Sequence, residues 1–233
     1  MFSRGLCFGR AGGVALRALS ETMAIRLPLV PCSPSLADSL RLLVRSLRVA
    51  RPRQIPAVFA GPVVLMTDGS FERPLSLPPM GGIGGVLLDR RDGAYLYFRW
   101  RLPTPLCRVL ADRAGGQPIF QLEVLPLLAA FCVWERRLKD CCSLSFVDNE
   151  GARSALVAGR SSHQVADQFV SEVGDRSAAA GSLLWYERVP SPANLADAPS
   201  RGMEPPDLED WGAPRETELS ALDRERFERI LRG

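Results

Sequence analysis

The chain has 233 residues, 46% of them hydrophobic and 24% charged, a globular balance that suits one domain of about 150 residues plus extensions. No apolar run approaches the roughly 20 residues needed to cross a bilayer, so the expectation is a soluble protein with no membrane partner. A single histidine, His163, and six cysteines (Cys7, Cys32, Cys107, Cys132, Cys141, Cys142) without C-x-x-C spacing argue against a histidine-rich metal site, a histidine-based triad or a zinc module; the thiols are read as reduced, in a reducing compartment.

The net charge of +3 is unevenly spread. Residues 1–60 carry nine arginines against Glu21 and Asp38, a net of +7, and the remainder carries 20 basic and 24 acidic residues, a net of −4. Coding bias explains an arginine-rich chain with Lys139 as its one lysine; a basic arm facing a polyanion explains it equally. Residues 1–24 lack an acid before Glu21, which fits an organelle transit peptide or the cut end of a longer polypeptide. Residues 25–35 are broken by Pro28, Pro31 and Pro34. A helix follows over Leu36–Val49, with Leu36, Leu40, Leu43, Val44 and Leu47 repeating at three to four and Arg41, Arg45 and Arg48 on another face.

The folded domain starts near Val63. Val63–Thr67 reads as a buried strand that runs into Asp68-Gly69-Ser70. A carboxylate there is costly unless paired, hydrogen-bonded or metal-bound, yet Asp-Gly-Ser is also ordinary turn chemistry. A Pro-rich loop leads to a glycine-opened strand over Gly81–Asp89, which lacks the Gly-Lys-Ser/Thr ending of a phosphate loop. Asp92-Gly93 marks a hairpin turn, and Ala94–Trp100 is the return strand, so three strands form an antiparallel meander.

Residues 103–117 read as a loop. Ile119–Leu138 is a long apolar helix with Glu123 in its first turn, either an acid favouring the helix dipole or one aimed at a site; Pro126 predicts a kink or a later start. Ser143–Val147 repeats the opening pattern, an apolar strand ending in an acid, Asp148. Helices follow over Gly151–Ala158 and, capped by Ser161 or Ser162, up to about Ala180. Ser182–Val189 is a fifth strand, Pro190–Arg201 a loop with a short helix, and Glu216–Arg232 an amphipathic helix outside the core.

If the first and fourth strands are parallel neighbours, Asp68 and Asp148 emerge side by side. Such carboxylates repel and raise each other's pKa. A divalent cation removes the conflict: Mg²⁺ takes oxygen ligands and keeps waters for substrate phosphates. Two such ions about 4 Å apart can activate water and stabilise the leaving oxygen in phosphodiester cleavage, with no need for His or Cys.

Four segments, Thr67-Asp68-Gly69-Ser70, Gln121-Leu122-Glu123, Phe146-Val147-Asp148-Asn149 and Asn194-Leu195-Ala196-Asp197-Ala198-Pro199-Ser200-Arg201, resemble in order and context the ribonuclease H domain of retroelement polymerases. The likeness covers about residues 62–202, and the last segment is similar to the retrotransposon branch. It implies an α/β fold: a five-stranded mixed sheet, antiparallel meander then parallel strands, flanked by helices. It implies a metal-dependent endoribonuclease that cleaves the RNA strand of RNA–DNA hybrids with two Mg²⁺ or Mn²⁺ ions held by Asp68, Glu123, Asp148 and Asp197. Gly69, Ser70, Asn149, Asn194 and Arg201 are the implied substrate contacts, made to 2′-hydroxyls and phosphates rather than to base sequence.

The implied organisation is a basic N-terminal extension over 1–61 (the end of a reverse transcriptase and its connection), the ribonuclease H-like domain over 62–202 and an acidic, charged tail over 203–233. The implied partners are the hybrid and a reverse transcriptase polymerase domain, in the cytoplasm or nucleus, or in mitochondria if residues 1–24 are a transit peptide. Two departures stand out. Val189–Leu195 carries no histidine where many cellular relatives place one, and only Arg160 and Arg176 supply guanidinium charge between Leu156 and Leu183, so the basic binding protrusion of some relatives has no counterpart. A catalytically inactive nucleic-acid or polymerase binding module is the alternative reading.

Overall fold

A computed structural model describes residues 63–113 and 118–232 and, within the first 62, only Ala37, Arg41 and Val44, all three helical. The remainder of the expected helix over Leu36–Val49, and the expectations for residues 1–24, lie outside the described residues.

The described chain builds one six-stranded mixed sheet with strand order β5-β4-β1-β2-β3-β6. β1 (Val63–Glu72), β2 (Met80–Asp89) and β3 (Ala94–Arg101) form the antiparallel meander, joined between β2 and β3 by a hairpin whose Gly93 takes the left-handed conformation that Asp-Gly turns use. β4 (Cys142–Val147) lies parallel to β1, and β5 (Leu183–Arg188) parallel to β4. The sixth strand, β6 (Arg215–Glu216), adds two residues beside β3.

The helices are α1 (Thr104–Arg113), α2 (Ile119–Val133), α3 (Glu135–Leu138), α4 (Glu150–Ala158), α5 (Gln164–Ala179), α6 (Asp197–Ser200) and α7 (Ala221–Arg232). The central one is α2, whose residues from Gln121 to Phe131 are all buried. Leu122, Leu125 and Leu128 join Leu65, Ile83, Phe98 and Phe169 in the main core. Each such side chain contributes about 1.5–3 kcal/mol when removed from water. A smaller cluster on the opposite sheet face joins Val86, Leu88, Tyr95 and Tyr97 to Leu208 and Trp211 of the C-terminal segment.

Several local expectations are corrected. β1 does not end at Thr67: β2 is long enough to pair Asp68 with Gly84, Gly69 with Ile83 and Ser70 with Gly82, so Gly69 and Ser70 are strand, not turn. Much of 103–117 is helical, because Pro105 falls in the first turn of α1, where its missing N–H costs nothing. α2 starts at Ile119 and runs through Pro126, ending at Val133 rather than Leu138, so Glu123 stands beyond the first turn and the helix-dipole explanation lapses. His163, not Ser161 or Ser162, caps α5, its side chain accepting from the Ala166 amide at 3.5 Å.

The C-terminal helix is not outside the core. Phe227 and Leu231, one turn apart on α7, are buried, and the Phe227 ring lies 6.3 Å from that of Trp100. Its charges hid this from a composition reading, although the i, i+4 apolar pair is a docking signal.

Candidate active site

Asp68 and Asp148 meet because of register. The parallel ladder between β1 and β4 closes at Thr67 opposite Val147, so the next residue on each strand is a carboxylate. Asp68 is only 4% exposed, and Asp148 is half-buried.

Glu123 reaches the same point from α2, which crosses β1 at Gly69. A Cβ on Gly69 would stand 2.8 Å from the Glu123 amide nitrogen and would collide with the Leu122 carbonyl. Only glycine admits the helix backbone this closely. Pro126 cannot donate an amide hydrogen to Leu122, its partner four residues back in an ordinary helix, so that carbonyl faces the strand without its usual helical donor. The Gly69 backbone in turn pulls the Glu123 carboxyl downward, against the larger effect of burial.

One carboxylate oxygen from each of Asp68, Glu123 and Asp148 lies within 4.8 Å of the others. Burial, then the charges of Asp148 and Asp197, push the Asp68 carboxyl up to about 7, against the opposing pull of the Ser200 hydroxyl and the Arg201 guanidinium. Burial and the charges of Asp68 and Asp148 push Glu123 up to about 9. Glu123 Oε2 and Asp148 Oδ1 are buried and accept no hydrogen bond, as is Thr67 Oγ1 beside them. Buried carboxylate oxygens are normally satisfied, and three acids with hard oxygen donors aimed at one point suit a divalent cation such as Mg²⁺ or Mn²⁺. The site can hold a metal ion.

Asp197 stands apart from this trio. It opens α6, is close enough to raise the Asp68 carboxyl, and pairs with Arg201 Nε at 3.1 Å. Arg201 also pairs with Glu72 at 2.6 Å. The two ion pairs occupy its guanidinium.

The remaining implied contacts have local duties. Ser70 Oγ donates to the Ser200 carbonyl at 2.7 Å. Asn149 caps α4, its Oδ1 accepting from the Ala152 amide at 3.0 Å, as an N-cap asparagine does. Asn194 Nδ2 donates to the Thr67 carbonyl at 3.2 Å and reaches Asp68 Oδ1 at 3.5 Å, while its Oδ1 accepts from the Ala196 amide. Asn194 therefore holds the loop before α6 against the Asp68 end of β1.

Sequence reasoning missed the seat of α6. A Cβ on Gly82 would strike the Ser200 carbonyl and one on Gly84 the Ser200 amide, with Pro199 Cβ 2.6 Å away. Glycines at alternate strand positions share a face, and their spacing was the available sign that another backbone lies there. Ser191 was also missed; its Oγ donates to Asp148 Oδ2 at 2.8 Å.

No protein-family model and no curated protein sequence matches the chain. Among solved structures it is similar to the N-terminal RNase H domain of a Mycobacterium tuberculosis protein, fused to maltose-binding protein, at 17% identity, with 60% of this chain and 91% of that one covered and a TM-score of 0.44. It is similar to RNase H1 of the halophilic archaeon Halobacterium salinarum at 19% identity, covering 60% and 96%, TM-score 0.43. LC11-RNase H1, solved in complex with an RNA/DNA hybrid, aligns at 13% identity over 60% and 95%, TM-score 0.39. Similarity at this level carries no argument about activity. The functional reading rests on the carboxylates.

Proposed function

We propose that the chain is a metal-dependent endoribonuclease that cleaves the RNA strand of RNA–DNA hybrids, and that it is a part or relic of a retroelement polymerase. The observation that carries the reaction is the trio of buried Asp68 and Glu123 with half-buried Asp148, drawn from the ends of two adjacent parallel strands and the helix that crosses them, with two buried oxygens that accept no hydrogen bond. The retroelement context is supported by the run Asn194–Arg201, whose first residue anchors the Asp68 strand and whose last pairs with Asp197.

In this reading Asp68, Glu123 and Asp148 would hold one ion, and Asp197, paired with Arg201 in the fold, would contribute to holding a second. Bound divalent ions would supply Lewis acidity toward a phosphate and a lowered pKa for bound water. The chain's own part is to hold the carboxylates fixed. Gly69 sets the helix-to-strand distance, Asn194 anchors the β1 end, and Ser191 orients Asp148. Ser70 and Asn149, which also make backbone contacts, would meet the substrate beside the ions.

The substrate class is tested by giving the purified chain and Mg²⁺ three labelled duplexes: RNA–DNA, RNA–RNA and DNA–DNA. The proposal expects nicks in the RNA strand of the hybrid alone. Equal cutting of duplex DNA would replace it with a general nuclease. Metal-independent hybrid binding without cutting would favour the binding-module reading.

A further inference from the structure

Three arginines meet where α6 ends. Arg201 caps the helix, Arg99 Nη1 donates to the Gly202 carbonyl at 3.0 Å, and Arg101 Nη2 donates to the Arg201 carbonyl at 2.7 Å. Two of the three guanidiniums are neutralised: Arg99 pairs with Glu216 at 2.9 Å, and Arg201 with Glu72 and Asp197. Arg101 meets only the neutral carbonyl and pairs with no carboxylate among the described residues. Cationic side chains often meet the last carbonyls of a helix, but a helix of four residues has little dipole for a third arginine to stabilise.

The Arg101 guanidinium is also held in place. Gly202 has a φ of 79°, and a Cβ there would stand 3.0 Å from Arg101 Cζ; glycine admits both the left-handed turn and the guanidinium lying over it. Arg101 faces a cavity of about 250 Å³ whose wall includes Ser70, Glu72, Met80, Thr104 and Arg201. Glu72 balances Arg201 at 2.6 Å, so Arg101 leaves the cavity cationic.

We propose that this cavity seats a backbone phosphate of the nucleic acid, held by the Arg101 guanidinium and the Thr104 hydroxyl. The inference rests on the hybrid-cleaving reading and adds to it a contact away from the carboxylates. Ser70 lies two residues beyond Asp68 on β1 and Glu72 four, about 7 and 13 Å at the rise of a strand. A duplex places one phosphate of each strand per about 3.4 Å of its axis, so the seat falls about two to four phosphates from the metal-binding acids. A guanidinium presents phosphate with a planar fork of donors. Such a contact fixes where the duplex lies over the acids without reading its bases. Arg201, whose charge is taken up by Glu72 and Asp197, leaves this duty to Arg101.

Binding of a labelled RNA–DNA hybrid by the full chain, followed by fluorescence anisotropy in chelator from about 50 to 200 mM salt, tests this. Arg101→Gln, which keeps an amide donor for the Arg201 carbonyl, should weaken binding about three- to tenfold and reduce the slope of log K against log salt by about one. Arg101→Lys should keep the slope, since it keeps the charge. Thr104 is exposed at the start of α1, where an acid is favoured; Thr104→Glu sets a negative charge in the cavity and should weaken binding even if Arg101→Gln fails to fold. A wild type that binds no hybrid, a folded Arg101→Gln with unchanged slope, or a Thr104→Glu that binds like wild type would overturn the proposal. Inorganic phosphate bound in calorimetry and lost in Arg101→Gln, with an unchanged hybrid slope, would assign the cavity to free phosphate and overturn it as well. The result separates from that of cleavage: a hybrid that is cut while the Arg101→Gln slope is unchanged removes the seat alone, and a reduced slope without cutting removes the nuclease alone.

Discussion

Gly69 lies beneath the Leu122 carbonyl with no room for a Cβ between them. This one approach brings a helix carboxylate, Glu123, to a strand carboxylate, Asp68, and it fixes the residue type at position 69 more firmly than any turn would. Gly69→Ala must push α2 off β1, an overpacking cost of about 1–3 kcal/mol. It should lower Tm and weaken Mn²⁺ binding measured by calorimetry. An alanine variant with unchanged metal affinity would show that the approach does not set the site.

Asn194 ties the last loop to the strand bearing Asp68. Its amide is buried and hydrogen-bonded at both ends. Asn194→Leu leaves the Thr67 carbonyl and the Ala196 amide without these partners, at about 1–3 kcal/mol each if no water replaces them. Chemical denaturation should show the loss, and hybrid cleavage should fall with it. Retention of full stability would mean that the loop is held elsewhere.

Arg201 and Asp197 form an exposed pair, with side-chain exposures of 44% and 43%, so Arg201→Ala should cost no more than about 1 kcal/mol of stability. Its larger effect should fall on the metal: Asp197 is released, and the weaker of two Mn²⁺ binding steps should tighten. A calorimetric titration identical to the wild type would show that Arg201 does not restrain Asp197.

The metal-free protein should lose stability as pH rises. Asp68 titrates near 7 and Glu123 near 9 in the fold, against about 4 in the unfolded chain. The folded state therefore binds these protons more tightly, and unfolding releases them. This contribution is complete below about pH 4 and is lost as pH climbs through the two folded values. Asp89, held down to about 2 chiefly by Arg91 and also by Arg137, acts in the opposite sense, but only at lower pH. With chelator present, Tm should fall from about pH 5 to about pH 9, Glu123→Gln should flatten the fall, and Mn²⁺ should oppose it. A chelated protein that becomes more stable across this window would contradict the electrostatics of the trio.

Much of this was legible in the sequence because the signals are local. The apolar run into Asp68, its echo at Asp148, and the Asp92-Gly93 hairpin mark strands and turns within a few residues; the parallel pairing that sets the two acids side by side was a condition in the sequence and is met in the fold. What was hidden depends on distant partners. Gly69 and Ser70 look like a turn until β2 pairs with them. Gly82 and Gly84 look like loose strand until the backbone of α6 rests on them. The charged C-terminal helix looks detached until Phe227 meets Trp100. Asp197 matches the motif, yet its carboxylate is turned to Arg201, a choice made by a side-chain rotamer and not by sequence spacing.

The central claim is that Asp68, Glu123 and Asp148 form a metal-dependent catalytic centre. Asp148 is the most telling position, since its half-buried side chain sits at a strand end and Asp148→Asn preserves its shape. Wild type and Asp148→Asn are compared on a labelled RNA–DNA hybrid with Mg²⁺, after matched thermal melts. The account predicts RNA-strand cleavage by the wild type and a loss of at least about 100-fold in the variant, the scale on which removal of a charge-stabilising catalytic group is felt. Equal cleavage by the two proteins would contradict it.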